Sequence, residues 1–362
     1  MRSKLEGLQI LRCLAASFVV IDHMLYETVG RGWMDPGWLQ FAPILGHIGV
    51  SAFFVTSGFI MYVTASSGFG SARQAGLFAV RRAIRIVPLY WLATAVASHD
   101  QFAAAGYPAR LLMSLFFIPY VNADGVWQPV LGVGWTLNYE MFFYAVFALC
   151  MIFPRRIGLT LCFSLLGVLG VAGLAFDMPG ISEFYAHPMV LLFAIGIFLG
   201  ILFKDWGLPR AVLPAGLALT LVVVTGTMVV AFAADAHMPP GLVGWAAYSG
   251  VATALVLIAV AATPERPRVA ARALVAAGDA SYDTYLFHGF MLVIVVNVWT
   301  LIGLPVSGLG VVALIALVLV AANVGGYLIH RVIDPLISQP LDRAAKRKWG
   351  TSAVSTSTEM KV

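Results

Sequence analysis

The sequence predicts an all-α protein, a polytopic membrane helical bundle of about ten transmembrane helices with both termini in the cytoplasm. Three observations lead there. Of 362 residues, 60% are hydrophobic and only 11% are charged, against about 45–50% and about 25% in soluble domains. The charges that a water-soluble surface requires are therefore missing. Apolar stretches of about 20 residues, enough to cross a bilayer core, recur along the whole chain. Finally, the basic residues between these stretches fall almost entirely on one side.

Taken in order, the spans are expected at residues 8–28, 44–65, 77–97, 131–153 and 157–176, then 188–203, 211–233, 242–262, 282–302 and 309–329. The stretch 111–119 is too short to cross alone. With the N-terminus inside, only Arg31 and Arg110 of the 22 Lys and Arg residues lie outside, and Arg12 falls within the first span. A wrong count would scramble this alternation. Arg2 and Lys4 before an apolar run suggest a signal peptide, but the run continues to Tyr26 and further spans follow. An uncleaved first helix is expected.

One membrane domain is expected over residues 1–340, followed by a cytoplasmic tail, 341–362, expected to be disordered. No internal repeat of the transporter kind is evident. The net charge of +5 does not point to nucleic acid, because no basic stripe is interleaved with aromatics. Cys13, Cys150 and Cys162 sit inside apolar segments without paired spacing, so neither a disulfide framework nor a metal site is expected.

Ionisable residues inside a membrane are costly and usually face a cavity. Arg12 and His23 share the first span, eleven positions apart, hence within about 20° on one face and about 16 Å apart along the axis. A snorkelling arginine and a bundle histidine are the plain alternative. Asp22 points about 100° away from His23 and is a weaker candidate. Glu140 falls at a depth comparable with His23, about 14 Å against about 8 Å from the outer boundary. A carboxylate there could fix the imidazole tautomer and leave the second nitrogen as a base. The alternative is a carboxyl held by Asn138 or Trp135. Arg82 and Arg85, three residues apart, share a face at the inner mouth. Guanidinium forks suit phosphate, and equally a positive-inside anchor beside anionic lipid. Tyr285 and His288 are likewise neighbours on a helix and either line a cavity or bond between helices.

Five segments carry a resemblance: Arg12 with His23; Gly49 to Phe59, containing Phe53-Phe54 and Ser57-Gly58-Phe59; the arginine pair before Pro88-Leu89-Tyr90-Trp91; Trp135 to Tyr144; and Ser281-Tyr282 to His288. In this order they resemble the acyltransferase-3 family of bacterial membrane acyltransferases, most of all its exopolysaccharide O-acetyltransferase subgroup. The resemblance runs from about Leu5 to Leu336. It implies an inner-membrane enzyme that moves an acetyl group from cytoplasmic acetyl-CoA to a hydroxyl of an exopolysaccharide or its lipid-linked precursor. It further implies His23 as the catalytic histidine, with Glu140 and Arg12 in the same site. Arg82 and Arg85 would hold donor phosphates, and Ser57, Tyr285 and His288 would line the donor site. The implied partners are the glycan acceptor, acyl-CoA, membrane lipid and other polysaccharide-biosynthesis proteins.

Direct transfer with His23 as general base, or a covalent acyl-histidine relay, both fit. The departures are Thr136 where serine is common, Asp334 before Pro335 where glutamate is usual, and the lack of a fused esterase-like domain. Two other readings stand beside this one. The acceptor could instead be peptidoglycan, a lipopolysaccharide glycan or a secreted small molecule. Buried Arg, His and Glu would also suit a proton-coupled transporter or exporter.

Overall fold

The computed structural model describes residues 6–99, 106–207, 242–261 and 269–349. Among these the chain is all-α, apart from one isolated bridge between Val121 and Trp127. The helices are α1 (Glu6–Gly30), α2 (Ala42–Ala65), α3 (Ala72–Ala97), α4 (Tyr107–Leu115), α5 (Trp135–Met151), α6 (Arg155–Ala175), α7 (Ile181–Tyr185) and α8 (Val190–Lys204). They continue with α9 (Leu242–Ala261), α10 (Val269–Asp279), α11 (Ser281–Leu301) and α12 (Leu309–Trp349).

Among the described residues, six stretches are long and apolar enough to cross a membrane: Glu6–Gly30, Pro36–Gly68, Arg155–Ala175, Ile181–Lys204, Ser281–Leu301 and Leu309–Trp349. The protein is therefore a multi-pass membrane protein. Some other expected spans differ for separate reasons. α3 extends through the charged turns holding Arg73, Arg81, Arg82 and Arg85. α5 has only 17 residues, because Gly132–Gly134 forms a 3-10 turn before it. The span expected at 242–262 is met by α9, Leu242–Ala261. α4, with nine residues, does not cross alone. The span expected at 211–233 lies outside the described residues.

The chain forms two compact units. Among the described residues, the first comprises those up to Thr56 and those between Trp206 and Val332; the second comprises those between Ser57 and Asp205 and those from Ile333 to Trp349. In the first, α1 is the central helix and packs against α9, α10 and α11. Lipid tails are as apolar as leucine, so helices in a bilayer associate through close backbone approach more than through hydrophobic burial. Gly278 permits that approach: a Cβ there would overlap the backbone carbonyl of Gln9 on α1. A core of Val20, Met24, Leu292, Val296, Leu314, Val318 and Ala322 joins α1, α11 and α12.

In the second unit, α5 packs against α3, α6 and α8. Aromatic stacking fills the space, with Phe143 on Phe193 at 4.3 Å and Tyr139 on Phe184 at 4.0 Å between ring centroids. α6 illustrates the solvent it is built for. Gly158, Cys162, Leu166 and Gly170 are buried at four-residue spacing, while Ile157, Leu161, Leu165, Val168 and Val171 are exposed. A helix that is apolar on its exposed face needs lipid there. All three cysteines are buried and free.

One end of the second unit gathers the termini of several helices. Lys204 donates to the Val63 carbonyl and to Ser66, each at 2.8 Å. Arg155 pairs with Asp205, and both bond to the Tyr62 hydroxyl. The tail expected to be disordered from residue 341 is instead helical as far as Trp349, because α12 runs through Pro335 and Pro340 without ending.

The packing of α1 on α10 yields a stability prediction. Gly278→Val overpacks that contact and lowers stability by about 1–3 kcal/mol, read as a reduced thermal midpoint in detergent. Gly289→Ala, which meets nothing within 4 Å, leaves the midpoint unchanged or slightly higher.

Candidate functional site

The residues expected to act together divide between the two units: Arg12, His23, Tyr285 and His288 in the first, Ser57, Arg82, Arg85 and Glu140 in the second.

In the first unit, His23 lies on α1 with Nδ1 2.8 Å from the carbonyl oxygen of Val19, one turn back. A carbonyl only accepts, so Nδ1 carries a proton, and in the neutral ring Nε2 bears the lone pair. The His23 side chain is 43% exposed, which leaves that nitrogen approachable. His288, on α11, packs edge-on against His23 with ring centroids 4.8 Å apart. Its Nδ1 lies 2.7 Å from the Tyr285 carbonyl, and by the same argument is protonated. Its Nε2 is buried without a partner. Two imidazoles of the same tautomer thus stand together, and the buried one lacks a hydrogen-bond donor. Tyr285 adds its ring, 5.8 Å from Phe53. Arg12 is almost fully buried and donates to Gln9 at 3.4 Å.

Asp22, the weaker candidate, proves to be close. Its Oδ2 lies 3.6 Å from His23 Nδ1, while Oδ1 is buried without a hydrogen bond. Gly46 on α2 makes room for it, since a Cβ there would lie 2.6 Å from Oδ2. Helical angle alone hid this, because a short carboxylate can swing along the helix surface toward a neighbouring ring.

In the second unit, Glu140 accepts a short hydrogen bond from the Tyr144 hydroxyl, and Ser57 donates to it at 3.4 Å. Ser57 and Tyr144 hydroxyls are 3.3 Å apart, closing a triangle. Arg82 lies over the rings of Phe78 and Tyr144, at 5.7 and 5.8 Å. Its Nε is buried without a hydrogen bond. A buried guanidinium N–H with no acceptor is costly, and a phosphate oxygen would satisfy it. Arg85, three residues on, follows on the same helix. His23 and Glu140, expected to pair, belong to different units, and each has a polar partner inside its own.

Tyr144 was overlooked, although its place four residues after Glu140 signals the contact. The pair of His330 and Asp283, 3.1 Å apart in the first unit, joins α12 to α11 and leaves no local signal. Thr136, the departure from serine, donates to the Val133 carbonyl at 3.0 Å, so the hydroxyl serves the start of α5.

The family model described as "Acyltransferase domain" matches residues 5–331. A relative from Rhizobium meliloti (strain 1021), named "Exopolysaccharide production protein ExoZ", is 33% identical over 321 residues, covering 86% of this chain and 94% of that protein. No solved structure matches the chain.

The Glu140 triangle can be tested directly. Tyr144→Phe removes the donor to a partly buried carboxylate and costs about 1.5–3 kcal/mol of stability. Ser57→Ala, which removes the longer bond, costs less. Thermal midpoints of the two variants in detergent check the order.

Proposed function

Because this chain belongs to the acyltransferase-3 family of membrane acyltransferases, we propose that it transfers an acetyl group from acetyl-CoA to a hydroxyl of an exopolysaccharide or its lipid-linked precursor. The observation that carries this reading is His23, whose Nδ1 is committed to the Val19 carbonyl and whose Nε2 is thereby left as an approachable base.

An alcohol is a poor nucleophile until a positioned base takes its proton, a contribution of typically about 10²–10⁴-fold. His23 Nε2 takes the acceptor's hydroxyl proton as the oxygen attacks the thioester carbonyl. The C–O bond of the ester forms, the C–S bond breaks, and the proton passes to the departing thiolate. Imidazolium exists only between these events, and Asp22, 3.6 Å from Nδ1, offsets its charge. That task was expected of Glu140; here Glu140 is assigned to the arginine-bearing unit, beside Arg82. Arg82 and Arg85 hold the donor's phosphates, with the orphaned Arg82 Nε as the group that needs an anionic acceptor. Arg12 lines the path on the α1 side. The unpartnered Nε2 of His288 accepts a hydrogen bond from bound substrate, with Tyr285 beside it.

The relative's name ties that protein to exopolysaccharide production, and this supports the acceptor class. The reading includes ten spans, cytoplasmic termini and a bacterial inner membrane. It is supported by the single end of the second unit where Arg73, Arg155, Lys204 and the last turn of α12 gather. Acetyl-CoA is a cytoplasmic donor, so its arginines belong on the basic side.

Purified protein given acetyl-CoA and candidate glycan should release thiol, and His23→Ala should lower turnover by at least about 10²-fold while donor binding survives. Unchanged turnover would remove His23 from the reaction. No thiol release with any acceptor would favour transport, and acetate recovered on peptidoglycan or lipopolysaccharide would change the acceptor. Asp22→Asn should lower kcat about tenfold with KM for acetyl-CoA unchanged, measured in the same assay.

A further inference from the structure

At 41 residues, α12 is about 60 Å long, roughly twice the hydrocarbon core. Its second half must therefore leave the lipid. The family match ends at residue 331, and the segment 333–349 forms an arm beyond it.

This arm has a fixed orientation. Asp342, Ala345 and Trp349 are partly buried at helical spacing, and they form the face that meets α3. The Trp349 indole occupies the space a Cβ at Gly76 would need, 2.9 Å from it. Arg73 donates to the Trp349 carbonyl, and Arg81 interacts electrostatically with Asp342. With that face pinned, Arg343, Lys346, Arg347 and Lys348 are left exposed. Arg343 donates to Gln339 at 3.4 Å. Among the described residues none of the four forms an ion pair with a carboxylate. Just before them, Leu336 is 72% and Leu341 41% exposed.

The arm thus passes from exposed leucine to exposed cations within a few turns. An occupant must be apolar beside Leu336 and anionic beside Lys346, and the boundary of a bilayer has that profile: acyl chain, then headgroup phosphate. A soluble anionic partner would match the cations and leave the leucines in water. We infer that the arm, residues 333–349, is a docking surface for anionic phospholipid headgroups. Resting on the proposed function, one consequence follows: the arm grips the helix that carries Arg82 and Arg85, so lipid charge bears on donor binding.

The test uses the full-length protein in nanodiscs of phosphatidylcholine with added phosphatidylglycerol, and native mass spectrometry to count the lipids that remain bound. Wild type should retain phosphatidylglycerol in preference to phosphatidylcholine. The variant R343Q/K346Q/R347Q/K348Q should lose that preference several-fold, and R343K/R347K, which keeps the charge, should retain it. Equal retention by the glutamine variant would overturn the proposal. Displacement of the bound lipid by inorganic phosphate or coenzyme A would overturn it too, assigning the surface to a soluble phosphate ligand. Lipid counting needs no turnover, so it fails or succeeds independently of the acetyl-transfer reading.

Discussion

In a chain surrounded by lipid, the carbonyl one turn back on the same helix is the nearest acceptor for a polar side chain, and much of this structure follows from it. Water is absent from the bilayer core, and an unsatisfied polar group there costs several kcal/mol. Thr28 turns to Met24, Thr64 to Ile60, Ser98 to Thr94, Ser114 to Arg110 and Asn323 to Leu319. His23 obeys the same rule with Val19, and His288 a tighter version of it with Tyr285. What stabilises a helix in lipid therefore also selects the tautomer of both imidazoles. The basic nitrogen of His23 is a by-product of satisfying its other nitrogen.

Backbone carbonyls serve this purpose better than a carboxylate in one respect. They orient the ring without adding a charge that must itself be buried and paired. Charge compensation is then needed only while imidazolium exists, and Asp22 stands beside the ring for that interval. In the second unit the logic is reversed. There Glu140, Tyr144, Ser57 and Arg82 gather charges and hydroxyls around one another, and the Nε of Arg82 is left without an acceptor.

Several elements were legible before the structure. The spans at 8–28, 44–65, 157–176 and 282–302 correspond to helices within a few residues, because 20-residue apolar runs without charge have few other stable conformations in lipid. Arg12 and His23 share a helix as their spacing requires. The ends of elements were harder. The last span was expected to stop near residue 329, yet α12 continues for another twenty residues, because its second half is held by Arg73, Arg81 and Gly76 from a distant part of the chain. The third span was expected at 77–97 with Arg82 and Arg85 at its inner mouth; the helix begins earlier, at Ala72, and its Arg73 and Arg81 form part of that same packed surface.

By itself the sequence determined that the chain is helical, that it crosses a membrane several times, and which ionisable side chains sit among apolar neighbours. It also determined contacts made within a single helix, such as Tyr144 with Glu140, since helical periodicity specifies them. Only the tertiary structure decided which helices become neighbours. His288 beside His23, Ser57 beside Glu140 and the arm along α3 join residues far apart in the chain. The physical reason is that apolar side chains are satisfied equally by lipid and by one another, so hydrophobic pattern does not encode a partner. The choice falls to close-fitting glycines and a few polar groups, whose complements come from elsewhere in the fold.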